Sequence, residues 1–177
     1  LVGGLIGETA QGAVGDAARA PTVPLWQLHD RYIVAQTRQG ILIVDQHAAH
    51  ERILYEQAIR WLEGEEATSQ QLLFPVVVNL APLEQETLES MLDEFPRLGI
   101  HVELFGGDAV VLRAVPATWG GDPSSMLREL LDDLTERTRR REEHRGALAA
   151  SFACHSAIRS GAKLDLAAMN RLIDELF

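Results

Sequence analysis

The run YIVAQTRQGILIVDQHAAHERILYEQ, residues 32–57, changes its period in mid-course. Two apolar stretches flank Arg38-Gln39-Gly40, which marks a hairpin. Directly after the second stretch the spacing becomes helical, with Ile53, Leu54, Ala58, Trp61 and Leu62 along one stripe. Asp45 stands at the junction, where a carboxylate oxygen accepts an orphan N–H of the helix. A chain that passes from strand to helix without a linker is expected to be α/β in the broad sense that includes α+β.

The remaining segments extend that pattern. After Gly64 the composition turns acidic and polar, until SQQLLFPVVVNL enters as a continuous apolar strand beginning near Pro75. Leu88, Met91, Leu92 and Phe95 form a helical stripe that Pro96 and Gly99 end. IHVELF alternates, GGD turns the chain, and AVVLRAV returns to stop at Pro116. Asp122-Pro123 predicts an N-cap and first-turn proline for a helix with Met126, Leu127, Leu130, Leu131 and Leu134 inward, ended by the charged run to Arg145. GALAASFACHSAIRSG predicts a helix of small side chains suited to a tightly packed centre. Asp165 caps a last helix with Leu166, Met169, Leu172, Ile173 and Leu176. Residues 1–20, rich in Gly and Ala and followed by a Pro-containing stretch, are expected to be a linker or tag remnant.

With 177 residues, 46% of them hydrophobic, the chain can bury one sizeable core or two small ones sharing an interface. Its net charge of -10 is a poor match for a domain that grips DNA by its own charge. Arg137, Arg139, Arg140, Arg141 and Arg145 cluster near His144, as a solvated helix end or a contact surface. One cysteine, Cys154, forbids an internal disulfide, and no apolar run approaches a membrane span, so a reducing, soluble compartment is expected. The start at Leu1 without a methionine suggests a piece of a longer chain. LVGGLIGE has no charged region before it and does not read as a signal peptide.

Three constellations carry chemistry. Stepping back from Leu54 by helical spacing reaches Glu51, His50 and His47, so a polar cluster lies on the inward face. Such groups are costly to bury unpaired, and this face is predicted to meet a partner rather than oil. His47 and Glu51, at i and i+4, converge beside the helix, and Asp45 can approach the same point, an arrangement for a divalent metal or an oriented water. The plain alternative is a capping Asp, a satisfied His and a surface Glu. The metalloprotease pattern H-E-x-x-H is absent, since His47 and His50 stand three apart and Glu51 follows them. Cys154 and His155 point about 100° apart on a helix and do not suit one ion. Cys154 is either a small core hydrophobe or a thiolate ligand given across to the first helix; as a nucleophile it lacks a clear base or oxyanion arrangement. Gln70-Gln71-Leu72-Leu73-Phe74-Pro75 is either the entry to a buried strand or an exposed peptide that docks into a partner's pockets.

Taken together, these segments resemble the C-terminal domain family of the DNA mismatch-repair protein MutL in its endonuclease-bearing form. The family signature DQHA, two residues, Glu, four residues, Glu stands complete from Asp45 to Glu56. A second motif, ACH-x-A with an aliphatic and a basic residue, is similar to Ala153 through Arg159, and GIHVELFGGDAVVLRAVP is similar to the family's middle section. The likeness covers Leu25 to Phe177. It implies a homodimerising domain with a metal-dependent site that nicks duplex DNA, using a divalent metal, Zn2+ and/or Mn2+. By motif, His47, Glu51 and Cys154 are metal-site residues and Asp45 an acidic residue needed for cleavage; Glu56 and His155 match signature positions without an assigned role. Gln70, Leu73 and Pro75 look like the family's sliding-clamp-binding motif. The resemblance further implies weak binding of duplex DNA by the domain alone, no membrane, a mismatch-recognition protein MutS met through the full-length protein, and an upstream ATPase. The implied location is the bacterial cytoplasm, at the nucleoid during repair.

The family's further motif, Cys-Pro-His-Gly-Arg-Pro, has no counterpart before Phe177, which leaves the implied metal site short of ligands. The expected arrangement is a discontinuous dimerisation subdomain, residues 21–70 and 146–177, with 71–145 as an inserted external (regulatory) subdomain. Two rivals stand: a non-catalytic dimerisation and clamp-docking platform, and an unrelated metallohydrolase.

Overall fold

The computed structural model describes residues 24–140 and 142–177; the expected linker at 1–20 lies outside the described residues. The fold is mixed α/β, with two three-stranded antiparallel sheets and five α-helices among the described residues.

The first sheet has the order β1-β2-β3, with β1 at Leu25–Leu28, β2 at Tyr32–Thr37 and β3 at Gly40–Asp45. The hairpin read around Arg38-Gln39-Gly40 is present, in a register that pairs Thr37 with Gly40 and Tyr32 with Asp45. β1 adds a strand the sequence did not announce. It reaches β2 through His29 and Asp30, both left-handed at φ 53 and 50. One face of this sheet buries Leu25, Ile33, Ala35 and Val44 against Ala49 and Ile53 of α1 (Gln46–Glu63) and Met169 and Leu172 of α5 (Leu166–Leu176). Each fully buried Leu, Ile or Val contributes about 1.5–3 kcal/mol.

Three predicted aspartate caps form as read. Asp45 accepts the N–H groups of His47 and Ala48 at 3.0 and 3.2 Å, Asp122 that of Ser125 at 2.8 Å, and Asp165 that of Ala168 at 2.7 Å. Asp122 opens α3 (Pro123–Arg139) and Asp165 opens α5. α3 ends at Arg139, and Glu143 caps α4 (His144–Ser156), so Arg145 belongs to the next helix instead of closing α3.

The second sheet has the order β4-β6-β5, from β4 (Ser69–Asn79), β5 (His101–Gly106) and β6 (Ala109–Pro116). β4 starts before the expected Pro75, because Gln70 and Gln71 already pair with Val115 and Ala114; the register then shifts between Gln71 and Val76. The helix expected through Phe95 is broken. α2 spans Pro82–Ser90, a turn follows, and Phe95–Leu98 is 3-10. The break falls at Met91, whose φ of -128 leaves the helical range, and Pro96, without an N–H, does not restore an α-helical ladder. Leu88, Met91 and Phe95 are buried all the same.

The larger apolar cluster gathers this sheet, α2, α3 and α4 around Leu54, Ala58 and Leu62 of α1. Ala147, Ala149 and Ala153 let α4 close on α1, and Trp61 meets Phe152 edge-on at a centroid distance of 5.9 Å. α1 therefore belongs to both clusters, and its N-terminal turns lie where they meet. No helix among the described residues is long and apolar enough to cross a membrane.

Candidate functional site

The start of α1 is fixed by a glutamine. Gln46 is fully buried; its amide donates to the carbonyls of Asp30 at 2.8 Å and Ala162 at 2.9 Å, and its oxygen accepts from Gln27 at 2.7 Å. Gln27 also donates to Ala162 and accepts the N–H of Leu164. These bonds tie the segment after α4 to the first turn of α1, where Ile158 meets both signature histidines.

Both histidines engage Ile158. His47 donates Nδ1–H to its carbonyl at 2.9 Å, while the N–H of Ile158 donates to Nδ1 of His50 at 2.8 Å. The partner foreseen for the polar face is thus, in part, a peptide backbone. Burial chiefly, with His47 nearby, holds His50 below the ordinary histidine value, which suits its role as an acceptor. Because a carbonyl can only accept, the proton of His47 sits on Nδ1, and in the neutral ring Nε2 is an electron-pair donor. Nε2 faces Oε1 of Glu51 at 3.4 Å. Cys154, surface-accessible on α4, lies next to the same carboxylate: partial burial first, then the charge and hydrogen bond of Glu51, push its thiol up. Glu51 and Cys154 line an open cavity of about 410 Å³ together with Arg52, Tyr55 and Arg137.

Among the described residues no group of three or more His, Cys, Asp and Glu side chains is gathered into a metal cage. The donors nevertheless fit a cation in part. A neutral imidazole nitrogen and a carboxylate oxygen face each other, a pairing that attracts positive charge, and His47 is oriented by a backbone carbonyl as metal-binding histidines commonly are. Cys154 stands beside Glu51, but His47, Glu51 and Cys154 do not form a group of three placed to share one ion. The set remains short of a closed coordination shell.

The other candidate residues sit elsewhere. The carboxylate of Asp45 is occupied by the cap and by Nε of Arg31 at 3.1 Å, beside the His47–Glu51 pair instead of within it. Glu56 pairs with Arg52 one turn back on an exposed flank. His155 points toward α3, with Nδ1 3.7 Å from Glu129, away from Cys154 as their adjacency predicts. Gln70, Leu73 and Pro75 lie exposed on β4, the latter two between Gln71 and Val76 where the register shifts, Leu73 at 88% and its neighbour Phe74 at 77%.

Sequence reasoning passed over three features of this region. One is the Gln46 clasp, whose buried glutamine carries no periodic signal. Another is Arg137, which read only as part of a charged run. The third is the outer face of the first sheet, where Trp26, Val34 and Ile43 line up across the strands and Ile41 is exposed at 72% and Ile43 at 62%.

Residues 25–164 match the family described as the MutL C terminal dimerisation domain. The DNA mismatch repair protein MutL of Chlorobium luteolum is 41% identical over 155 residues, covering 86% of this chain and 25% of that protein. The MutL protein of Chlorobium phaeovibrioides is 41% identical over 166 residues, 93% of this chain and 27% of that protein. That of Chlorobaculum tepidum is 41% identical over 155 residues, 86% and 25% respectively. The chain spans about a quarter of the length of the curated relatives it matches.

Proposed function

The chain belongs to the MutL C terminal dimerisation domain family, and from that premise we propose that it pairs with a second copy of itself and carries a metal-dependent site that nicks duplex DNA in mismatch repair. The observation that carries the nicking reading is the His47–Glu51 pair, with its imidazole fixed by Ile158 and Cys154 beside it.

In this reading His47, Glu51 and Cys154 would hold a divalent metal, Zn2+ and/or Mn2+. Such an ion polarises a phosphoryl oxygen and lowers the pKa of a bound water. The chain's own contribution is orientation. Ile158 fixes the ring of His47 with Nε2 toward Glu51, which also lines the cavity, and Asp45, the acidic residue this reading requires for cleavage, caps the first turn of α1. The test is nicking of closed circular plasmid in Mn2+ by the parent, Glu51→Ala and Asp45→Asn, using the chain extended to its natural C-terminus. Open circles from the parent alone, with the dimer intact in all three, support the reading. Equal nicking by all three, or none by a folded parent, counts against it.

Homodimerisation draws support from the apolar outer face of the β1-β2-β3 sheet, which leaves Trp26, Ile41 and Ile43 in water unless another surface covers them. In the proposed division, residues 21–70 and 146–177 make the dimerising part and 71–145 the external one; the smaller cluster, built from both ends of the described chain, accords with it.

The exposed Gln70, Leu73 and Pro75 favour a second reading, a docking platform for a DNA sliding clamp, with or without catalysis. Gln70→Ala then weakens clamp binding and leaves the dimer unchanged. Contact with MutS through the full-length protein, and a place in the bacterial cytoplasm at the nucleoid, belong to the same proposal.

A further inference from the structure

We propose that Arg137 is a phosphate-binding residue of the cavity that holds Glu51 and Cys154, gripping a backbone phosphate of duplex DNA beside them. The inference rests on the nicking reading above and deepens it by naming the group that meets the substrate's charge.

Among the described residues two guanidinium groups line this cavity, and they differ in how they are held. Arg52 is exposed and turned to Glu56. Arg137 is largely buried, its side chain 26% exposed, and it is fixed by a relay between two helices. Oγ of Ser151 on α4 donates to Oδ2 of Asp133 at 2.7 Å, and Nε of Arg137 donates to that same oxygen at 2.8 Å. The other acidic contact among the described residues, Glu142 at 3.4 Å, is long and exposed enough for a ligand oxygen to displace. A guanidinium locked through Nε presents its remaining N–H groups as a planar fork, the geometry that suits phosphate.

Charge points the same way. A chain of net charge -10 repels a polyanion, so any approach of DNA to Glu51 needs a local cation. Arg137 supplies it within the cavity, and its charge reaches Cys154, where it opposes the effect of Glu51 on the thiol. A staple between α3 and α4 alone requires the Ser151–Asp133–Arg137 relay but gives no reason for the guanidinium to line the cavity with Glu51 and Cys154.

Cys154 provides a readout independent of catalysis. Its alkylation rate is measured in the whole chain, with chelator and low salt, with and without a short blunt duplex DNA. The duplex should slow alkylation by about threefold or more in the parent, with a protection that fades steeply as salt rises. Arg137→Ala should lose the protection, and Arg137→Lys should keep part of it. Thermal unfolding of each variant reports folding, and if Arg137→Ala does not fold, the comparison of Arg137→Lys with the parent carries the test through its weaker, less salt-dependent protection. Equal protection in parent and folded variants, or none in the parent, overturns the proposal. Plasmid nicking by the parent and Asp45→Asn separates the two ideas. Nicking lost in Asp45→Asn beside protection that ignores Arg137 sinks only the role of Arg137, whereas Arg137-dependent protection without nicking upholds the phosphate contact and overturns the nuclease.

Discussion

His50 accepts the N–H of Ile158 through Nδ1 at 2.8 Å, across 108 residues of chain. That bond and the one from His47 to the carbonyl of the same residue hold the segment after α4 against the first turns of α1. His50→Leu removes the acceptor and leaves the N–H without a partner in a partly buried place. A loss of about 1–3 kcal/mol in urea unfolding is expected, together with faster amide exchange at Ile158. Unchanged exchange there counts against the bond.

Gln46 carries more. Replacing it with Leu deprives the carbonyls of Asp30 and Ala162 of a donor and the amide of Gln27 of an acceptor. Gln46→Leu should cost about 2 kcal/mol or more, despite the added hydrophobic side chain. A stabilised variant in urea unfolding contradicts the clasp.

Asp45 separates structure from chemistry. Asn caps helices about as well as Asp, so Asp45→Asn should change stability by only a few tenths of a kcal/mol, whereas Asp45→Ala should cost about 0.5–2 kcal/mol. Equal losses in the two, measured by urea unfolding, mean that the pairing with Arg31 outweighs the cap.

Asp133 gives a pH signature. Partial burial alone raises its carboxyl, but the hydrogen bonds from Arg137 and Ser151 outweigh burial and hold it below the ordinary 3.8. A folded value below the unfolded one means stability that is present above the unfolded pKa and lost as pH falls through the folded one. The Tm gap between the parent and Asp133→Asn should therefore be wide at about pH 7 and narrow as pH drops below about 4. A gap independent of pH rules out the ionic contribution.

The open face of the first sheet predicts assembly. Ile43→Glu places a charge among Trp26, Val34 and Ile41, and should give a folded monomer by sedimentation if a second copy covers that face. A dimer of parental affinity locates the interface elsewhere.

Much of the fold was legible because its punctuation is local. Asp45, Asp122 and Asp165 act within a few residues of themselves, and the hairpins at Arg38-Gln39-Gly40 and Gly106-Gly107-Asp108 need only a turn between alternating runs. β1 escaped notice because four residues, LWQL, are too few for a period, and because His29 and Asp30 take a left-handed turn that non-glycine residues seldom adopt. Of the stripe Leu88, Met91, Leu92 and Phe95, three are buried and Leu92 partly so, but their backbone was not foreseen, since helix and 3-10 turn can bury the same side. At the site, the i, i+4 spacing of His47 and Glu51 foretold their meeting, and Cys154, named by the motif, lies beside Glu51. The DQHA motif contains Gln46 but not its partners, which lie in β1, the turn after it and the segment after α4, while the partners of Arg137 are set by how α3 and α4 pack.

The bonds that join His47 and His50 with Ile158 span 111 and 108 residues. On the ribosome, the turn of α1 that bears both histidines and Glu51 emerges long before the segment that completes it. Closing so wide a loop costs entropy, and the larger apolar cluster, whose β4, β5, β6 and α3 all lie between, shortens the loop as it forms. The walls of the site thus come together late in folding, once most of the chain is already in place. A polypeptide whose synthesis stops before Cys154 carries the signature helix without the opposite wall.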